Sequence, residues 1–247
     1  MSNAPVEKRL ALFEGHNETV SARDNAFARQ ITVLTLAGKP EKAVEYLKGR
    51  KFSYREGSSK VRDIIIDAHL MMGKKLMTGK KYDMALEEFL LARIPEEEAA
   101  GSRAGNRNIQ VDYFIAKAYD ALGNRTKARK SYEQSASREA GSTSYVKYYQ
   151  AMSLVRLGKK KEAEEALKAI IEEAEKQIGR TASHDVDFFA KFGTMEAENA
   201  RLSSAYLLKG LGLKGLGDTI AARENLSKAV QLSNSNLCAL SELQDMR

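Results

Sequence analysis

Residues 109–136 read IQVDYFIAKAYDALG, then Asn124, then RTKARKSYEQSA, and the spacing within them decides the fold. In the first half Tyr113, Ala116, Tyr119 and Leu122 recur at helical intervals. Gly123 then stops the helix, because a left-handed backbone is least costly for glycine. In the second half Ala128 and Tyr132 lie four apart and share one helix face. The stretch predicts two helices joined by a tight turn.

The same arrangement recurs on both sides. Downstream, YYQAMSLVRLGKKKEAEEALKAI (148–170) places Ala151, Leu154, Leu157, Gly158, Ala163 and Leu167 in matching positions. YLLKGLGLKGLGDTIAARENLSKAV (206–230) places Gly210, Leu213, Leu216, Gly217, Ala222, Leu226 and Ala229 there. Upstream, HLMMGKKLMTGKKYDMALEEFLLA (69–92) supplies Gly73, Leu76, Ala85, Phe89 and Ala92, but its turn glycine, Gly79, falls one residue early. ITVLTLAGKPEKAVEYL (31–47) keeps Leu34, Gly38, Ala43 and Leu47, with Ile31 where the others carry Ala or Gly.

This pattern resembles the tetratricopeptide repeat, a helix-turn-helix unit with a period of about 34 residues. The family needs a small residue midway along the first helix and another early in the second, where the helices cross closely and only Ala or Gly leaves room. Gly73, Ala116, Ala151 and Gly210 match the first position, and Ala43, Ala85, Ala128, Ala163 and Ala222 match the second. The resemblance implies an all-α, right-handed α-α superhelix of about five repeats.

Composition agrees with a helical chain. Of 247 residues 43% are apolar and only 3 are proline. The net charge of +7, from 40 basic and 33 acidic residues, is spread with both signs along the chain. With no RNA-binding motif or basic tail, solvated helix faces explain it and nucleic acid is not an expected partner. No run approaches the roughly 18 apolar residues of a membrane span, and no signal peptide is visible. The cytoplasm is the favoured location. Ser2-Asn3-Ala4 looks like the remnant of an expression tag, in which case the natural N-terminus is missing. The one cysteine, Cys238, sits in an apolar stretch and reads as a buried structural thiol.

Successive second-helix alanines are 42, 43, 35 and 59 residues apart. The excess over the repeat period places insertions near 49–59, 95–108 and 172–194. The last starts as a continuing helix, IIEEAEKQ, and is read onward as a loop, GRTASHDVDFFAKFG, with adjacent Phe188 and Phe189. Those rings fit either a plug between repeats or a ligand-facing lid. Solenoid ends need atypical closing helices, and VEKRLALF (6–13) and NLCALSEL (236–243) suit that task. Residues 1–4 are therefore read as a tag remnant and 5–247 as a single repeat domain.

A closer resemblance rests on GRKFSYREGSSKVRD (49–63), YFIAKAYDALGNRTKARKSYEQSA (113–136) and the span 187–218. These look like the C-terminal region of large bacterial proteins that combine a β-rich, carbohydrate-active-like N-terminal part with tetratricopeptide repeats. That family often has a tryptophan in the loop matched by Phe52 to Gly57, where Arg55 stands here. The resemblance implies a link to carbohydrate metabolism, with a carbohydrate-active domain in the same or a neighbouring chain.

Chemistry-bearing constellations are sparse. His16, His69 and His184 are far apart and lack zinc-ligand spacing. His184, Asp185 and Asp187 read as a solvated loop, and His69 as a packed or rim histidine. Glu97-Glu98 and Glu164-Glu165 lie in charged runs. GLGLKG (210–215) superficially resembles a phosphate loop, but it falls inside a helix pattern, not after a strand. No catalytic residue, cofactor or metal is expected.

Stacked repeats turn their first helices toward one side. Projection onto the sequence selects Leu70, Lys74 and Met77; Tyr113, Lys117 and Asp120; Tyr148, Met152, Val155 and Arg156; and Leu207, Leu211 and Lys214. Lys74, Tyr113, Lys117, Tyr148, Met152, Arg156 and Lys214 are the candidate groove. Such a surface suits an extended acidic peptide, because aromatics provide contact area and cations fix charge. Tyr148 and Tyr149 fit packing between repeats equally well. Some family members clamp a C-terminal carboxylate with Lys and Asn. Ala28 and Thr32 stand there instead, so no clamp is expected. Two functions remain: a non-catalytic peptide- or protein-binding scaffold, and an accessory helical region of a larger bacterial glycan-processing protein.

Overall fold

The computed structural model describes residues 4–50, 52, 58–95, 106–141, 144–180 and 190–246, and among these every element is a helix. They form two compact units, Ala4–Glu139 and the residues from Ala140 onward. The N-terminal unit holds α1 (Val6–Glu14), α2 (Asn17–Ser21), α3 (Asp24–Leu36), α4 (Pro40–Leu47), α5 (Ser58–Thr78), α6 (Tyr82–Ala92), α7 (Asn108–Ala121) and α8 (Arg125–Ser137). The C-terminal unit holds α9 (Val146–Arg156), α10 (Lys160–Gly179), α11 (Ala190–Leu216), α12 (Thr219–Leu232) and α13 (Leu237–Gln244). The pairs α3/α4, α5/α6, α7/α8, α9/α10 and α11/α12 are the five repeats.

One turn geometry joins all five pairs. An N–H two or three residues past the first helix's end donates to the carbonyl five residues back, from Lys39 to Leu34, Lys81 to Leu76, Asn124 to Tyr119, Lys159 to Leu154 and Asp218 to Leu213. These bonds satisfy carbonyls that have no partner within their own helix. The residue before each donor is left-handed: Gly38, Lys80, Gly123, Gly158 and Gly217. Five residues past each of them come the early second-helix alanines, Ala43, Ala85, Ala128, Ala163 and Ala222, all at most 1% exposed. The second repeat therefore keeps the common register by placing Lys80 at φ 56°, while Gly79 sits one position before the left-handed site. A side chain there carries a penalty of about 1–2 kcal/mol, so Lys80→Gly is expected to raise stability by about 1 kcal/mol. Urea denaturation checks this, and a loss of stability would contradict the turn geometry.

The small residues do what the crossing requires. A methyl on Gly73 would strike the Phe89 ring, and one on Gly210 would lie 2.7 Å from Leu226 Cγ. Ala116 and Ala151 are fully buried at the equivalent crossings. In the first repeat Ile31 is itself fully buried, in a cluster with Phe27, Leu34, Ala43 and Val44. Leu10 of α1 joins that cluster, with Val6 and Phe13 packed against it, so α1 closes the N-terminal end.

Polar contacts hold the ends of longer connections. The Asn108 side chain accepts from the Ile94 N–H at 2.9 Å and donates to the Ile94 carbonyl at 2.8 Å, clamping the two sides of the second insertion. Asp112 of α7 is buried and takes Arg93 Nε at 2.7 Å and Arg138 Nε at 3.1 Å, tying the ends of α6 and α8 to α7. Burial pushes the Asp112 carboxyl above its usual range, and the two guanidiniums pull against that shift. In the C-terminal unit α10 runs to Gly179, as the sequence led one to expect. The long insertion is shorter than its reading as a loop through Gly193, because α11 begins at Ala190. Arg201 donates to the carbonyls of Gln177 and Arg180, capping α10 where the chain enters the insertion. Arg55, Glu97, Glu98, His184, Asp185, Asp187, Phe188 and Phe189 lie outside the described residues.

Candidate functional site

Of the seven candidate groove residues, three come together in the N-terminal unit. Helices α5 and α7 place the Lys74 ammonium 5.4 Å and the Lys117 ammonium 5.8 Å from the centre of one ring, Phe114. Lys117 also lies 5.8 Å from the Tyr113 ring. An aromatic face attracts cations through its quadrupole, so both ammonium groups are drawn to the same ring. Phe114 is itself buried and held from below by Phe89, with ring centres 5.4 Å apart. Tyr113 meets Phe114 edge-on at 5.3 Å and Tyr132 at 6.0 Å, and the Tyr132 hydroxyl donates to Asp120 at 2.9 Å. The site is a two-lysine cluster on an aromatic floor, with its floor anchored in the repeat core.

Arg107 binds Asp63 at 3.2 Å and Asp67 at 2.6 Å, and reaches the Gln110 side chain at 3.2 Å. Phe114 and Arg107 were not singled out in the sequence. Phe114 reads there as an ordinary core position beside Tyr113, and no local signal shows that a lysine from another repeat will sit on it.

The other four candidates belong to the C-terminal unit. Tyr148 is buried, 5.1 Å from the Tyr149 ring, so its role there is packing within the unit. Met152 is half-buried and Arg156 exposed on α9. Lys214 of α11 is bound 2.7 Å from the Glu242 carboxylate of α13. Glu242 is 3% exposed and also accepts from the Tyr149 hydroxyl at 2.9 Å. Burial, and then the negative charge available to Cys238 and Glu242, holds the Tyr149 phenol well above its usual 10.0, so it stays a donor. Cys238 is half-buried, less enclosed than the sequence suggested, with Sγ 3.7 Å from the Tyr149 oxygen. Glu242 itself was missed. Its one sequence signal is a lone acid four residues after Cys238, on the face that α13 buries.

Several projected positions turn inward. Leu70, Leu207 and Leu211 are interior residues, at most 5% exposed, and line no groove. GLGLKG lies within α11, where Gly212 and Gly215 make room for Ile171 and Leu167 of α10. Ala28 is buried and Thr32 donates to its carbonyl at 3.1 Å. His69 Nδ1 lies 2.7 Å from Glu88 Oε2, joining the two helices of the second repeat. Glu164 is exposed and pairs with Lys168 at 2.7 Å, as a solvated face would. Among the described residues no group of three or more His, Cys, Asp or Glu could hold a metal ion. No described helix is long and apolar enough to cross a membrane.

These helix pairs define an all-α helical repeat protein of tetratricopeptide-like architecture. A tetratricopeptide-repeat family profile matches residues 113–141, the third of the five repeats. Among solved structures, YrrB, described as a tetratricopeptide-repeat protein with an unusual peptide-binding site, is similar at 14% identity and a TM-score of 0.36. That alignment covers 94% of this chain and 97% of the other.

Proposed function

We propose that this chain is a non-catalytic scaffold that binds an extended, acidic peptide segment of another protein, with Lys74, Tyr113 and Lys117 as its principal contacts. The observation that carries the reading is the convergence of two ammonium groups on the Phe114 ring. A carboxylate that reaches this ring meets both cations, and the flanking aromatic edges offer the peptide contact area. A carboxylate side chain supplies the charge, and the neighbouring peptide backbone covers the rings. Met152 and Arg156 provide a second contact surface in the C-terminal unit.

The test is binding of fluorescently labelled peptides of matched length, acidic against basic, read by anisotropy at two salt concentrations. Acidic peptides are expected to bind more tightly, with affinity falling as salt rises. Lys74→Ala combined with Lys117→Ala should weaken binding at least about ten-fold, since hydrogen bonds to charged groups contribute about 1.5–3 kcal/mol each. Equal affinity for acidic and basic peptides, or no change in the double variant, would rule the site out.

A further inference from the structure

The buried contacts of α13 serve no evident purpose in closing a helical stack. A closing helix needs an apolar inner face and a polar outer one. Here the inner face carries a glutamate, and its partners come from two different repeats. Tyr149 of α9 donates to one carboxylate oxygen of Glu242 at 2.9 Å and Lys214 of α11 to the other at 2.7 Å. Tyr149 and Glu242 are both nearly inaccessible, at 2% and 3% exposure. Phenol and ammonium thus form a built receptor for one carboxylate.

The energetics of that contact favour exchange. Removing two charges from water offsets most of their mutual attraction, so a buried ion pair adds little net stability and an apolar pair would hold the helix at least as well. Stripping away the glutamate alone strands Lys214, whereas replacing it by another carboxylate restores every bond. Helix α13 has eight residues, too few to persist as a helix without its docking surface. Its helical state therefore depends on staying docked, and filling of the carboxylate site is part of what keeps it there.

We propose that α13 is an exchangeable latch: Glu242 occupies a carboxylate site made by the Tyr149 hydroxyl and the Lys214 ammonium, and the glutamate of an acidic helical segment on a partner protein takes its place. All the residues belong to the C-terminal unit, so the inference does not rest on the Lys74 and Lys117 reading. Releasing α13 would free its own apolar face at the same moment, coupling partner capture to exposure of a second surface.

Cys238 provides the reporter. It is the one cysteine of the chain and lies against Tyr149, so its alkylation rate follows departure of α13. The probe is a synthetic peptide copying residues 234–247 with Ser in place of Cys238, and the control carries Glu242→Gln as well. Saturating glutamate peptide is expected to speed iodoacetamide labelling of the full-length protein at least about ten-fold, and the glutamine control to leave it near the basal rate. Glu242→Gln in the protein should speed labelling similarly with no peptide added, while the circular dichroism spectrum is kept. If that variant does not fold, Lys214→Met provides the same loosening with the carboxylate retained. Labelling that ignores the peptide, or responds equally to both peptides, overturns the proposal. So does labelling of the folded variant at the wild-type rate.

Discussion

Phe89→Ala is expected to lower the unfolding free energy by about 3–5 kcal/mol, the range for deleting a buried aromatic side chain. The ring is fully buried, stacks 5.4 Å from Phe114, and occupies the space that Gly73 leaves open on the facing helix. Truncation opens a cavity that glycine cannot fill from its side, so collapse is limited and the upper part of the range applies. The effect also reaches the candidate site. Phe114 loses its support, and with it the common ring on which Lys74 and Lys117 converge. Acidic-peptide affinity should fall along with stability, even at temperatures where the variant is fully folded. A urea midpoint close to wild type would show that α5 and α6 do not cross as described. Intact stability of Gly73→Ala would say the same, since its methyl has no room.

The combined variant Arg93→Ala and Arg138→Ala is expected to be destabilised by about 3–5 kcal/mol at neutral pH, because it strands a buried carboxylate. Asp112 is the inaccessible partner, with a side chain 1% exposed, whereas Arg93 and Arg138 remain 24% and 21% exposed. The asymmetry makes a second expectation: Asp112→Asn should be much milder, since the two guanidiniums can turn to water. The pH dependence has a definite sign. Burial already raises the Asp112 carboxyl above its ordinary 3.8, and removing both guanidiniums raises it further. A raised folded-state value means that this group's stability contribution is complete below the unfolded value and is lost as pH rises through the folded one. The deficit of the double arginine variant relative to wild type should therefore shrink as pH falls toward about 4. Urea titrations at pH 7 and pH 4 check both points. Equal deficits at the two pH values would mean that Asp112 is solvated when its partners leave.

Both experiments concern contacts that the repeat pattern does not contain. The helix pairs, their turns and their small crossing residues were legible because they depend on spacing within some 30 residues. Gly38, Gly123, Gly158 and Gly217 are left-handed where the sequence placed the helix stops, and the alanines five residues later are buried at each crossing. The second repeat is harder to read because glycine marks the left-handed residue in the other four turns and a lysine holds that place here. The hydrogen bond from Lys81 to Leu76 and the buried position of Ala85 impose that conformation on Lys80, and Gly79 does not take it.

The candidate site was partly legible. Projecting first-helix positions selected Lys74, Tyr113 and Lys117, and the two lysines lie over one ring, Phe114, because residues at equivalent places in adjacent repeats are neighbours. The same projection selected Leu70, Leu207 and Leu211, which are interior. A first helix in a repeat stack touches its own partner and its neighbours, so its buried arc is wider than a single stripe. Tyr148 and Lys214 also reached different surroundings, a tyrosine pair and a glutamate.

What the sequence by itself determined is the helical repeat: backbone propensity, the turn register and the need for small residues at crossings are set by neighbours in the chain. Only the tertiary structure decided which charges meet. Arg107 joins residues 40 and 44 positions away, and Tyr149 joins one 93 positions away. Such partners depend on how helices cross, and a crossing rotated by one side chain would pair each charge with a different residue.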